Sequence, residues 1–193
     1  MTLLAAAALL AVVAAGFMFG ALHILPSGAD PISDGVSVYA LGPTGVLYAG
    51  QAVLSGLGGL LLAAAVVQRD ATALAPGLLV AYGLARIAIV RFPTDRRGAA
   101  ITPTGRRHAL LAAIAFLAIA AAAPIASSTV VQSATQARDV LFWLAALVSG
   151  SCLASFGVAL WPRSRAYYGL VQRAFYVSAF TWLVAASGLL AFA

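Results

Sequence analysis

Residues 3–22 read LLAAAALLAVVAAGFMFGAL, twenty residues without a single charge. About 20 consecutive apolar residues match the hydrocarbon thickness of a bilayer when wound as a helix. Five further apolar runs follow, at roughly 48–67, 72–90, 109–125, 140–161 and 170–192. The mean hydropathy is +1.03 and only 8% of the 193 residues are charged. A soluble domain has no means of hiding that much apolar surface, so the reading is an all-α integral membrane bundle of six transmembrane helices, one domain over residues 1–193. The first run lacks the basic leader of a signal peptide and is as long as a full span, which predicts a retained helix.

The charges gather between the spans. All 11 basic residues are arginine, and 46 residues are alanine, a composition expected of a GC-rich bacterial genome. Arginines scattered through short loops suit contact with lipid headgroups and give no basic stripe on a soluble module, so nucleic acid is excluded as a partner. The expected partners are membrane lipids, with a second copy of the chain or another membrane protein left open. The only cysteine, Cys152, lies in an apolar run, which excludes a disulfide framework within one chain.

Loop one (23–47) is HILPSGADPISDGVSVYALGPTGVL, rich in proline, glycine and aspartate and therefore built of turns. Loop three (91–108) is RFPTDRRGAAITPTGRRH, the most charged piece of the chain. With six spans, loops one, three and five share one face. That face carries Arg86, Arg91, Arg96, Arg97, Arg106, Arg107, Arg163, Arg165 and Arg173, nine arginines against Arg69 and Arg138 on the other. The positive-inside rule makes it cytoplasmic, in a multi-pass plasma-membrane protein with external termini. Small residues at four-residue spacing, Gly77, Ala81 and Ala85 in span three and Ala146, Gly150 and Ala154 in span five, are candidates for close helix contact.

The same face collects both histidines, His23 and His108, and the acids Asp30, Asp34 and Asp95, while Asp70 and Asp139 fall opposite. His23, His108, Asp34 and Asp95 are candidate metal ligands, and His108, Asp95 and Asp34 candidate catalytic acids and bases. Against this, polar residues belong in interfacial loops, and neither HExxH nor a nucleophile elbow occurs. Arg86, set in AYGLARIAIV, must snorkel, face a cavity or pair with an acid, and Asp34 or Asp95 is the expected partner. Gln172 and Arg173 open the last span, and Gln51 near the start of span two is placed to point inward.

Taken in order, these motifs resemble the DUF998 family of small polytopic prokaryotic membrane proteins. The resemblance rests on Pro31, Ser33 and Asp34 in DPISD, Phe92, Pro93, Thr94 and Asp95 in RFPTD, His108 thirteen residues after Asp95, and Gln172–Arg173 in GLVQR. It implies a six-helix membrane fold and a joint role for Asp95 and His108, and it names no reaction or cofactor. The leading expectation is a polar pocket formed by loops one and three that binds a lipid headgroup or small polar ligand. Ser33, Asp34, Arg86, Asp95, His108, Gln172 and Arg173 are its expected ligand-binding residues. The alternatives are a membrane-embedded, metal-dependent lipid hydrolase and a small solute transporter. The second is weakened because the interiors of the spans offer few ionisable residues.

Overall fold

A computed structural model describes residues 3–69, 72–96, 98–132 and 137–192. Asp70 and Arg97 lie outside the described residues. The described residues form six helices long and apolar enough to cross a membrane. They are α1 (Leu3–Ile24), α2 (Gly45–Val67), α3 (Leu74–Ala88), α4 (Pro103–Val130), α5 (Arg138–Leu160) and α6 (Tyr168–Phe192). Single 3-10 turns at Ile89–Arg91 and Arg165–Tyr167 extend α3 and precede α6, and another covers Val36–Leu41 in loop one.

Each helix packs on the next in sequence, and α6 closes the ring against α1 while also touching α2 and α4. Short connections between antiparallel neighbours favour this arrangement. Large apolar side chains such as Leu10, Phe17, Trp143, Leu153 and Val177 point outward. In a bilayer that outer surface meets acyl chains, and the backbone polar groups are satisfied inside each helix.

The core is alanine-rich, so helices approach closely. One close crossing joins α2 to α3, where a Cβ on Gly56 would sit 2.7 Å from the Gly83 carbonyl oxygen, and the converse holds for Gly83. The expected stripes behave differently. Gly77 and Gly150 have nothing within 4 Å of a built Cβ, and Ala146 and Ala154 are exposed. The span-five stripe thus faces outward, because the inward side of α5 is set by Leu141, Ala145, Val148 and Cys152.

Helix α4 begins at Pro103, six residues before the apolar run, and carries Pro124 in its interior. Its first turn includes Arg106 and Arg107, which turn outward. Near the far end, the buried Trp182 indole of α6 donates to Ser127 Oγ of α4 at 3.0 Å.

Candidate functional site

The polar residues gather at the end of the bundle that carries loops one, three and five. Loop one is shaped by its own acids. Asp30 accepts from the Ile32 amide at 3.0 Å and from the Ser33 hydroxyl at 2.6 Å. Asp34 accepts from the Asp30 amide at 3.0 Å. The Ser33 hydroxyl and then the Ile32 amide hold the Asp30 carboxyl below its ordinary range.

This turn is clamped to the start of α6. The Leu170 amide donates to the Ile32 carbonyl at 3.0 Å, using one of the N-terminal amides that a helix leaves unpaired. Gln172 accepts from the Val36 amide at 2.6 Å and donates to Tyr168 Oη at 3.0 Å. The Arg173 guanidinium donates to the Asp34 carbonyl oxygen at 2.8 Å, to the Gly169 carbonyl at 2.9 Å and to Tyr39 Oη at 3.0 Å. Its Nε donates to His23 Nε2 at 2.8 Å. His23 Nδ1 in turn donates to the Phe19 carbonyl at 2.7 Å, which fixes the neutral tautomer with Nε2 as acceptor. Glycine at 169 is required, because a Cβ there would overlap the carbonyl oxygens of Asp34 and Pro31.

Loop three is organised around Asp95. Its carboxylate accepts from the Thr102 amide at 2.9 Å and from the Thr102 hydroxyl at 2.8 Å. Thr102 Oγ1 accepts from the Gly105 amide at 3.0 Å and caps α4, with Pro103 at the first helical position. His108 lies one turn further on, 5% exposed, and donates from Nδ1 to the Phe92 carbonyl at 2.7 Å. Asp95 and His108 line one cavity, but the Phe92 carbonyl rather than Asp95 orients the imidazole. His108 is buried and not a solvated helix cap.

Arg86 overturns the expected ion pair with Asp34 or Asp95. It is 2% exposed and donates to Ser55 Oγ at 3.0 Å, to Tyr176 Oη at 3.0 Å and to Gln51 Oε1 at 2.9 Å. The guanidinium also lies 5.3 Å from the Tyr176 ring centroid. Every one of these partners is neutral. Asp34 and Asp95 are instead committed to backbone amides and a hydroxyl. Five residues below the end of the 3-10 turn at Arg91, Arg86 sits about 7 Å into the bundle at about 1.5 Å per residue.

Between these groups lies a cavity of about 430 Å³. Its mouth is polar, with Ser33, Asp34, Thr94, Asp95 and Arg165. His108, Tyr168, Gln172, Tyr48, Tyr176, Phe116 and Phe156 line the part between the helices. One wall is the alanine face of α4, Ala109, Ala112 and Ala113, and another is Ser155 and Ala159 of α5. Farther from the loops these two helices are tied together, Ser149 Oγ donating to the Ala120 carbonyl at 2.8 Å and Cys152 Sγ to the Phe116 carbonyl at 3.6 Å. The cavity occupies the space between them above that tie.

Of the residues singled out from sequence, Ser33, Asp34, Asp95, His108 and Gln172 line the cavity, while Arg86, Arg173 and His23 stand behind it. The four candidate metal ligands are not assembled. No group of three or more His, Cys, Asp or Glu side chains able to hold a metal occurs among the described residues, and Arg173 already occupies His23 Nε2. Tyr39, Tyr48 and Tyr176 escaped the sequence reading. Tyr48, Gln51 and Ser55 recur at three- and four-residue spacing on α2, a polar stripe on one face of an apolar helix that marks the cage around Arg86.

A family model described as "Protein of unknown function (DUF998)" matches residues 4–188. No curated protein and no solved structure matches the chain.

Proposed function

The chain belongs to the DUF998 family, and from that premise and the geometry of its loop face we propose that it binds a polar-headed molecule, a lipid headgroup or small polar solute, in the cavity beneath loops one and three. The observation that carries this is the cavity's composition. Hydroxyl, carboxylate and imidazole groups line it together with alanine and phenylalanine. Ligand sites are characteristically apolar concavities with a few placed polar groups, and about 430 Å³ falls in their ordinary size range. His108 supports the reading too. Its Nδ1 is held by a backbone carbonyl, and the ring lines the cavity. Ser33, Asp34, Asp95, His108 and Gln172 are the contact residues in this reading, with Arg86 and Arg173 positioning the elements behind them.

The face with loops one, three and five is read as cytoplasmic, supported by its nine arginines against two.

The test is native mass spectrometry of the full chain released from its own membranes in mild detergent. A retained small molecule is expected in the parent protein and is expected to be lost from Ala113→Trp, which fills the alanine wall. Equal retention by the filled variant would refute the proposal.

A further inference from the structure

We propose that the part of this cavity lined by Tyr48 and Tyr176 takes an oxyanion, a carboxylate or phosphate group of the bound molecule, held by the hydroxyls of these two tyrosines in front of Arg86. The inference rests on the reading that the cavity is a ligand site, and it adds the charge and orientation of the occupant.

The starting point is a buried cation bonded, among the described residues, only to neutral groups. Ser55, Gln51 and Tyr176 satisfy the geometry of the Arg86 guanidinium without cancelling its charge. A buried ion is costly unless a counter-charge stands near it. The phenols of Tyr48, Tyr82 and Tyr176 are its electrostatic neighbours, and all three are neutral in their ordinary state. Two of them, Tyr48 and Tyr176, also line the cavity, whereas Arg86 does not.

The hydroxyls are set to donate. Tyr48 Oη is buried without a hydrogen-bond partner among the described residues. Tyr176 Oη accepts from Arg86, so its own proton is left to point elsewhere, and a hydroxyl polarised by a cation is a stronger donor. An oxyanion in the cavity supplies both missing elements, an acceptor for Tyr48 and a negative charge for Arg86. The carboxylates at the mouth do not reverse this. Asp95 is engaged by Thr102, Asp34 accepts from the Asp30 amide, and Arg165 lines the same cavity. The exposed arginines of this face, Arg91, Arg96, Arg106, Arg107, Arg163 and Arg165, steer anions toward it. The apolar part of the ligand then lies along Ala112, Ala113 and Phe156.

The experiment uses the full-length protein in a neutral maltoside detergent, with binding measured by calorimetry. The probes are decanoate, decanol and decylammonium, matched in chain length, with acetate and inorganic phosphate as anions without a chain. Nanodiscs of phosphatidylcholine with and without phosphatidate form a further arm. Decanoate is expected to bind at least fivefold tighter than decanol, with decylammonium weakest. Tyr48→Phe is expected to keep the thermal stability of the ligand-free protein, because its hydroxyl has no partner to lose, and to weaken decanoate threefold or more. Gln51→Glu supplies an internal counter-charge to Arg86 and is expected to weaken decanoate as well.

A smaller preference for decanoate overturns the proposal, and so does a Tyr48→Phe variant that binds decanoate with less than threefold loss. Phosphatidate binding supports it with a lipid as the source, and Tyr48-dependent binding of acetate or phosphate supports it with a free anion. If decanol binds as well as decanoate and Ala113→Trp abolishes both, the cavity remains a ligand site and only the oxyanion assignment falls. If no probe of any charge binds, both readings fall.

Discussion

Replacing Gly169 with alanine sets two effects against each other. Glycine inside a helix is worse than alanine by about 1 kcal/mol, so local propensity favours the change. The packing opposes it. The new methyl would overlap the Asp34 carbonyl oxygen and lie 2.8 Å from both the Pro31 carbonyl oxygen and Arg173 Nη1. Ordinary contacts to carbon lie at roughly 3.5 Å, so the loop must retreat by about half an ångström or more. That movement stretches the Leu170–Ile32 and Arg173–Asp34 hydrogen bonds together, now 3.0 and 2.8 Å. Overpacking of this kind costs about 1–3 kcal/mol, and each weakened hydrogen bond about 1 kcal/mol. The net expectation is a loss of about 2 kcal/mol despite the better helix former. Gly150→Ala and Gly188→Ala serve as controls, since a Cβ at either has nothing within 4 Å, and both are expected to stabilise slightly. Thermal unfolding in detergent gives the sign. Hydrogen exchange at the Val36 and Leu170 amides gives the location, with faster exchange expected at both. If Gly169→Ala tracked the two controls, the direct seating of loop one on α6 would be wrong.

Asp95→Ala and Thr102→Val are each expected to destabilise by about 1 kcal/mol through loss of the α4 cap, and the double variant by less than their sum; full additivity in thermal unfolding would show that the two do not act through one bond. Trp182→Phe leaves a void in the core and removes the donor to Ser127 Oγ, whose own proton stays on the Ala123 carbonyl, so a loss of about 2–3 kcal/mol is expected in the same assay, and a loss under about 0.5 kcal/mol would count against the buried indole bond. In a Cys152→Ala background, Thr104→Cys is expected to resist an impermeant thiol reagent in intact cells and Ser128→Cys to react with it; the reverse pattern would invert the assigned sidedness.

The six helices were legible because apolar length is written along the chain. Their ends were less so. Arg106, Arg107 and His108 made the start of α4 read as loop, yet Thr102 and Pro103 begin a helix there whose charged side chains turn outward. The motif residues do meet, but their work is largely a matter of main-chain partners, which the identities of side chains do not reveal. Arg173 holds the Asp34 carbonyl rather than its carboxylate, and Asp95 holds Thr102 rather than His108. Arg86 shows the limit most clearly. Charge matching pointed to an acid, whereas the three-dimensional neighbours are a serine, a glutamine and a tyrosine drawn from two other helices.

The ties that finish the loop face join distant parts of the chain: Arg173 reaches His23 across 150 residues, and Gln172 reaches Val36 across 136. Tyr176 contributes to the Arg86 cage from the same helix. During synthesis, the first loop and the second and third helices emerge well before these partners exist. Each stage of insertion before the last therefore carries unseated polar groups, and a nascent chain halted after five helices displays them all. Arrival of α6 seats the first loop and completes the arginine's shell in one step, so the final helix acts as the molecule's own checkpoint for completed assembly.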